Sequence, residues 1–297
     1  NALMNATKPE WQGYALSVGA STLFALIPWY LQFLSPLGGN LLFAHRLLVQ
    51  IVCGIVIVLA TRQLQRLLAC LATPGQLVIL LLTAPLIAAQ WWLFFWAPVN
   101  GYTVDMAMGY FLLPITMAFT GMVLFAEKMR PLQWMALVVA ILGVSYELSS
   151  TGSFSWVTLL VCLGYPPYFV LRRRLPVETR VNFAAENLLL LPLGLILLAV
   201  SAGSGERLVP DREFGLLMLF GAGALGTIAM LMFVAASTRL NLTVFGLLGY
   251  MEPVLLMTVA LCLLGESIDR EQAVSYAMFT AAIALVVSDA CLLYLKQ

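Results

Sequence analysis

A chain of 297 residues of which 62% are hydrophobic and only 10% charged, with a mean hydropathy of +0.97, is not an ordinary soluble domain. Its net charge of +1 gives no electrostatic reason for nucleic acid or an acidic protein as partner. A single histidine, with no H-x-x-x-H and no G-x-S-x-G, leaves a membrane enzyme without a metal site or an activated nucleophile, and no cofactor is implied.

Taken in order, residues 1–10 read as an N-terminal tail. No basic stretch precedes a cleavable apolar run, so no signal peptide is expected. Met4 reads as the natural start, with residues 1–3 set aside as a leftover extension. At about 20 apolar residues per span, membrane helices are expected near 12–34, 41–60, 75–97, 102–124 and 131–149, then near 154–171, 183–201, 213–236, 243–264 and 272–294. The connections are short, and the longest, around Ser201 to Asp211, is rich in Gly and Ser. Cys53, Cys70, Cys162, Cys262 and Cys291 lie scattered in apolar stretches without CxxC spacing. They are expected as buried thiols, neither disulfides nor metal ligands.

The expected helices fall into two sets. Gly109-Tyr110 and Pro114 are followed thirteen residues after the proline by Glu127, and Gly249-Tyr250 and Pro253 by Glu266 at the same interval. An offset of 139 or 140 residues also carries Pro28-Trp29-Tyr30 onto Pro167-Tyr168-Phe169, and Phe43-Ala44-His45-Arg46 onto Phe183-Ala184-Ala185-Glu186. Several matches at one offset, in order, indicate an internal repeat, as in transporters built from two homologous halves. Residues 11–150 and 151–297 are the expected units.

Orientation follows from the basic residues. With the N-terminus cytoplasmic, that side collects Lys8, Arg62, Arg66, Lys128, Arg130, Arg172, Arg173, Arg174, Arg180, Arg239 and Lys296, eleven in all, against Arg207, Arg212 and Arg270 opposite. Both termini are then cytoplasmic. An odd number of helices per half inverts the second relative to the first. The expected fold is all-α and integral to the membrane: ten transmembrane helices as two inverted five-helix repeats.

Specific stretches carry a family resemblance. They are Ala44-His45-Arg46, Asp105 with Gly109-Tyr110-Phe111 and Pro114, Trp156 with the Arg172-Arg173 to Leu175-Pro176-Val177 run, and Glu186 with Leu188 to Pro192. The chain resembles EamA-type members of the drug/metabolite transporter superfamily, in their RarD-like branch, over nearly its whole length. The resemblance implies a bacterial inner-membrane carrier that moves small metabolites or drugs, usually outward. Where relatives tend to have Trp-Gly in the first helix, this chain has Phe24-Ala25, a change at a position expected to face the cavity.

Ionisable residues in hydrocarbon are costly unless paired or facing water. His45 and Arg46 sit about six residues into the second expected helix, roughly 8 Å below its boundary, and Glu186 occupies the equivalent depth from the opposite side. A direct Arg46–Glu186 pair is not expected. Each is assigned one end of a central pathway, the alternative being that both fix helix packing. Glu252, whose repeat partner is Leu113, lies near the middle of the ninth expected helix and suits proton carriage or a cationic group. Glu186 and Asp105 are further proton-coupling candidates. Asp289 stands nearer a helix end, Glu147 reads as interfacial, and Glu127 and Glu266 read as caps of helix hairpins.

Aromatic side chains complete the candidate site. Trp92 and Trp96 share a helix face at i and i+4, beside Gln90. Trp29, Tyr30, Tyr110, Tyr168 and Tyr250 are expected to line a common cavity suited to an amphipathic ligand, while Trp11, Trp134 and Trp156 suit the interfacial belt. Gly221, Gly223 and Gly226 suit close helix packing. The expected activity is alternating-access export of a small amphipathic or zwitterionic metabolite: an amino acid, an amino-acid-derived compound such as an opine-type metallophore, or a drug. Pro28, Pro114, Pro167 and Pro253 would permit the bends. The alternatives are an uncoupled facilitator or, less well supported, a receptor or scaffold. The expected partners are the bilayer and the small molecule, with no nucleic acid; a homodimer stays open.

Overall fold

Apolar stretches of membrane-spanning length become helices because each satisfies its own backbone in a solvent that cannot. The computed structural model describes residues 11–34, 37–152, 154–210, 213–263 and 270–295. Lys8, Asp211, Arg212, Glu266, Lys296 and the N-terminal tail lie outside the described residues. Thirteen α-helices are described: α1 (Trp11–Leu31), α2 (Gly39–Ala60), α3 (Leu64–Ala72), α4 (Pro74–Val99), α5 (Thr103–Phe125), α6 (Pro131–Thr151), α7 (Trp156–Arg172), α8 (Thr179–Leu189), α9 (Leu191–Gly203), α10 (Gly215–Arg239), α11 (Leu242–Leu248), α12 (Met251–Leu263) and α13 (Arg270–Leu295). No strand occurs among the described residues.

Eight helical stretches are long and apolar enough to cross a membrane, counting Leu242–Leu263 as one, and the bent α8–α9 pair makes a ninth. Helix α7, at 17 residues, is apolar but shorter.

Three departures from the sequence expectation have local causes. Helix α3 fills a stretch read as a loop. Its nine residues are too few to register as a span, and it lies amphipathically, with Leu67 and Cys70 buried and Leu64 and Leu68 exposed. The helix expected at 183–201 is two helices meeting at 43°. Pro192 follows the break, and without an N–H it cannot serve the carbonyl of Leu188. The ninth expected helix likewise divides into α11 and α12. There Pro253 cannot donate to the Gly249 carbonyl, which accepts instead from the Glu252 N–H at 3.2 Å. Helix α5 runs unbroken through Pro114, although the repeat pairs that proline with Pro253.

Eight of the lengths close into a ring. Helix α1 packs on α10, α10 on α2, α2 on α8 and α9, α8 on α4, α4 on α7, α7 on α5, α5 on α11, and α12 returns to α1. Helices α6 and α13 pack on each other outside it, against α5, α11 and α12. Since lipid is as apolar as leucine, close approach supplies the cohesion. A Cβ at Gly54 would stand 3.3 Å from the Ala184 Cα, and one at Gly223 would stand 2.5 Å from the Val49 Cβ. The end of the ring holding the start of α1 and Arg130, Arg172, Arg173 and Arg239 is called the basic end below.

Candidate functional site

Helix α2 carries Arg46 at a depth where its guanidinium must face inward. It is only 8% exposed, its Nε has no hydrogen-bond partner, and it makes no ion pair among the described residues. Aromatic faces hold it, with its Cζ 5.1 Å from the Trp91 ring and 5.7 Å from the Phe95 ring. A Cβ at Gly226 of α10 would lie 3.5 Å from the Arg46 Nε, so that glycine leaves room beside the cation.

Glu252, Tyr110 and Tyr165 are the titratable groups in the electrostatic neighbourhood of Arg46. Arg46, Glu252, Tyr110, Tyr165, Trp91 and Phe233 line a small cavity of about 40 Å³. It shares Tyr110, Phe94, Phe233 and Glu252 as a common wall with a second of about 170 Å³ between α5 and α10–α13. Tyr110 and Tyr165 are electrostatic neighbours of one another, of Arg46 and of Glu252. The carboxylate of Glu252 accepts no hydrogen bond from the described residues. One aromatic-walled chamber thus holds a cation and a carboxylate with unspent hydrogen-bonding capacity.

Toward the basic end, Phe169, Phe233 and Phe245 form a floor, with ring centroids 4.7 to 5.6 Å apart. Beneath it the backbone turns through Ala126, left-handed at φ 51, and delivers Glu127 to the start of α11. Its oxygens accept from the Leu242 and Thr243 N–H groups, each at 2.7 Å. A carboxylate on free N–H groups at a helix start is a favourable cap. Arg173 donates to Glu127 at 3.3 Å and to the Ser237 and Leu240 carbonyls at 3.0 and 2.9 Å. Glu127 therefore does cap, but it caps α11, 115 residues further along the chain, and not its own hairpin.

The sequence profile of the EamA-like transporter family matches residues 153–288. Among curated relatives, the "Chloramphenicol-sensitive protein RarD" of Pseudomonas aeruginosa is 41% identical over 293 residues, covering 96% of this chain and 97% of its own. The chain belongs to the EamA-like transporter family, in its RarD-like branch. "Protein RarD" of Escherichia coli is 30% identical over 284 residues, covering 95% and 96%. An "Uncharacterized transporter" of Haemophilus influenzae is 31% identical over 283 residues, covering 94% of each chain. A solved crystal structure matches with a TM-score of 0.70 at 17% identity, over 94% of this chain and 97% of that one, which speaks to the fold alone. The protein is a multi-pass membrane transporter.

Of the residues singled out in the transporter's sequence, the structure brings Arg46, Tyr110 and Glu252 together in the chamber. His45 turns away, its Nε2 2.7 Å from the Leu208 carbonyl in the connection between α9 and α10. Glu186 is not a free end of a pathway. It is buried and paired with Arg172, and it accepts from Thr83 at 2.8 Å and Tyr168 at 3.3 Å. Tyr168 also accepts from Arg172, so it belongs to this polar knot and not to the cavity. Tyr250 is core: its hydroxyl donates to the Phe111 carbonyl at 2.9 Å and its ring stacks on Phe279. Gln90 is buried and donates to the Leu160 carbonyl at 2.8 Å.

Trp92 and Trp96 do share a face, but that face meets the end opposite the basic one. Trp92 donates to Asn40, and Trp96 stacks on Trp92 and Tyr102 beside Trp156. Trp29 stands against Phe33, and Tyr30 donates to the Met218 carbonyl at 3.1 Å. Asp105 lies in the first turn of α5, where the helix dipole favours a carboxylate. Asp289 is ion-paired to Arg130 at 2.5 Å and accepts from Gln133 at 2.9 Å, tying α13 to α6. Glu147, four residues from the end of α6, is buried with its Oε2 unpartnered. Trp91, Phe95, Tyr165 and Phe233 were missed. Trp91 and Phe95 are an i, i+4 pair one register from the pair chosen, and nothing in the sequence distinguishes the two faces.

Proposed function

We propose that this transporter moves small zwitterionic or amphipathic metabolites outward across the bacterial inner membrane, by alternating access around the Arg46–Glu252 chamber. Amino acids and amino-acid-derived compounds, opine-type metallophores among them, fit this chemistry best. The observation that carries the proposal is the buried Arg46, without an ion pair among the described residues, in one chamber with Glu252. An α-carboxylate would meet the first and an ammonium the second. A cavity of about 170 Å³ lies below the range that encloses drug-sized ligands, about 300–1,000 Å³, which favours metabolites over drugs in this conformation.

The ten-span reading, with inverted repeats over 11–150 and 151–297 and both termini cytoplasmic, is part of the same proposal. It is supported by the pairing around the ring, where α1 against α10 corresponds to α7 against α4 and α1 against α12 to α7 against α5. The Glu127 latch and the phenylalanine floor then shut the cytoplasmic side. Because Glu186 is spent on Arg172, Glu252 and Asp105 are the candidates left for proton coupling, and of the two it is Glu252 that lines the chamber.

The test is uptake of labelled amino acids and amino-acid-derived metabolites into proteoliposomes, with and without an imposed pH gradient, for the parent and Glu252→Gln. Gradient-driven accumulation that the variant loses is expected. Flux that only equilibrates, with the variant equal to the parent, would mean an uncoupled facilitator and a structural Glu252.

A further inference from the structure

A large concavity lies outside the chamber. At the basic end, Leu16 of α1, Thr179 and Arg180 of α8, and Leu231, Ala235 and Arg239 of α10 line a groove of about 1130 Å³. Its direction follows from helix geometry. Phe233 of α10 points into the chamber. At about 100° per residue, Leu231 and Ala235 stand roughly 200° around the helix from it. The groove therefore opens away from the chamber, toward the bilayer. From Arg239 to Leu231 it descends eight residues along α10, about 12 Å of helix.

The rim and the wall differ in character. Arg180 and Arg239 are both exposed, and the hydrogen bond Arg239 makes goes to the Ala235 carbonyl of its own helix, at 3.1 Å. The acidic group at the rim, Glu178, accepts from Gln63 and Arg66 of the α2–α3 segment, with Arg180 only a weaker electrostatic neighbour. Two guanidinium groups from different helices thus stand at the level of the helix ends, above a wall of Leu16, Leu231 and Ala235. Cations over a lipid-facing apolar wall match a phosphate headgroup above an acyl chain.

We infer that this groove binds one anionic phospholipid, its phosphate between Arg180 and Arg239 and an acyl chain along α10 between α1 and α8. Such a lipid would join an element of the first half to two of the second, at the level of the Glu127 latch. The site does not depend on the transported substrate.

Delipidated full-length protein in neutral detergent is titrated with phosphatidylglycerol or with phosphatidylcholine of the same chains, and bound lipids are counted by native mass spectrometry. One tightly held phosphatidylglycerol is expected, in preference to phosphatidylcholine. Arg180→Gln with Arg239→Gln should weaken it roughly thirtyfold, from about 1 kcal/mol per basic residue near a lipid surface. Ala235→Phe keeps both cations but fills the wall, and should also weaken it several-fold. Both variants alter exposed or half-buried positions, and monodisperse elution verifies their fold. Equal binding of the two lipids, or an arginine variant equal to the parent, overturns the proposal. Parent-like binding by Ala235→Phe would mean diffuse surface attraction and no groove, and overturns it too. A dimer mass in place of a lipid adduct would assign the groove to a second copy of the chain, with the same result.

Discussion

Replacing Arg46 by methionine separates a ligand-binding cation from a structural one. Methionine keeps the aliphatic stem and removes a guanidinium that is 8% exposed, has an unpartnered Nε and makes no ion pair among the described residues. The loss includes two cation–π contacts, about 1–2 kcal/mol each in desolvated surroundings, and attraction to Glu252. The gain is the desolvation cost of a buried ion, several kcal/mol. For a buried ion with no salt-bridge partner the desolvation cost is the larger of the two, so the melting temperature of Arg46→Met should hold or rise. Its affinity for a carboxylate-bearing substrate should fall by about 2–5 kcal/mol, the usual cost of deleting one partner of a buried charge pair, or roughly thirtyfold to several thousandfold. Tryptophan-monitored unfolding and equilibrium binding of labelled amino acids, both in detergent, read the two quantities. A melting temperature that drops steeply while binding per folded molecule persists would refute the reasoning and make Arg46 a packing residue.

Glu186→Gln strands Arg172, 3% exposed, without its carboxylate and should destabilise the fold by about 3–5 kcal/mol, seen as a lower melting temperature. Tyr250→Phe should cost about 0.5–1.5 kcal/mol through the bond to Phe111 and leave substrate binding intact, whereas Tyr110→Phe should change binding more than stability. Glu127→Gln weakens the cap on α11 by about 1–2 kcal/mol, so amide exchange at Leu242 and Thr243 should accelerate about tenfold. Glu178, outside the spans, is held below the ordinary carboxyl value of 4.5, first by the Gln63 hydrogen bond and then by Arg66. A carboxyl lowered in the fold stabilises fully above its unfolded value and loses that contribution as pH falls through the folded one. Exchange in α3, corrected for intrinsic rate, should stay flat from pH 7 to about 5 and rise only below 4.5.

The apolar helices were legible because twenty apolar residues in a row have few other uses. Helix α3 was not, since nine residues of mixed face resemble a loop when only long windows are scored. Arg46 and Glu252 announced themselves as charges in apolar stretches, but their companionship did not. The repeat paired Arg46 with Glu186 by position, while the fold gave Glu186 an arginine only fourteen residues upstream. Arg172 had looked like one more cation of the basic loops and is in fact buried. Tyr110 and Tyr250 each follow a glycine, yet only the first reaches the chamber. The second stands at the break between α11 and α12, where the backbone directs it into the core beside Phe279. Placement of aromatic side chains depends on helix rotation about its axis, a quantity that sequence spacing alone leaves free.

In the short segment α11, all seven residues are buried, and each of its ends is fastened. At one, Glu127 grips two N–H groups; at the other, the Glu252 N–H closes the turn on the Gly249 carbonyl. The residue facing the chamber with its carboxylate therefore also supplies the clasp of the joint with its backbone. Between those two fastenings α11 is a rod about 10 Å long. Its far tip rests in the grip of Glu127, so one short buried segment is all that separates the chamber from the latch.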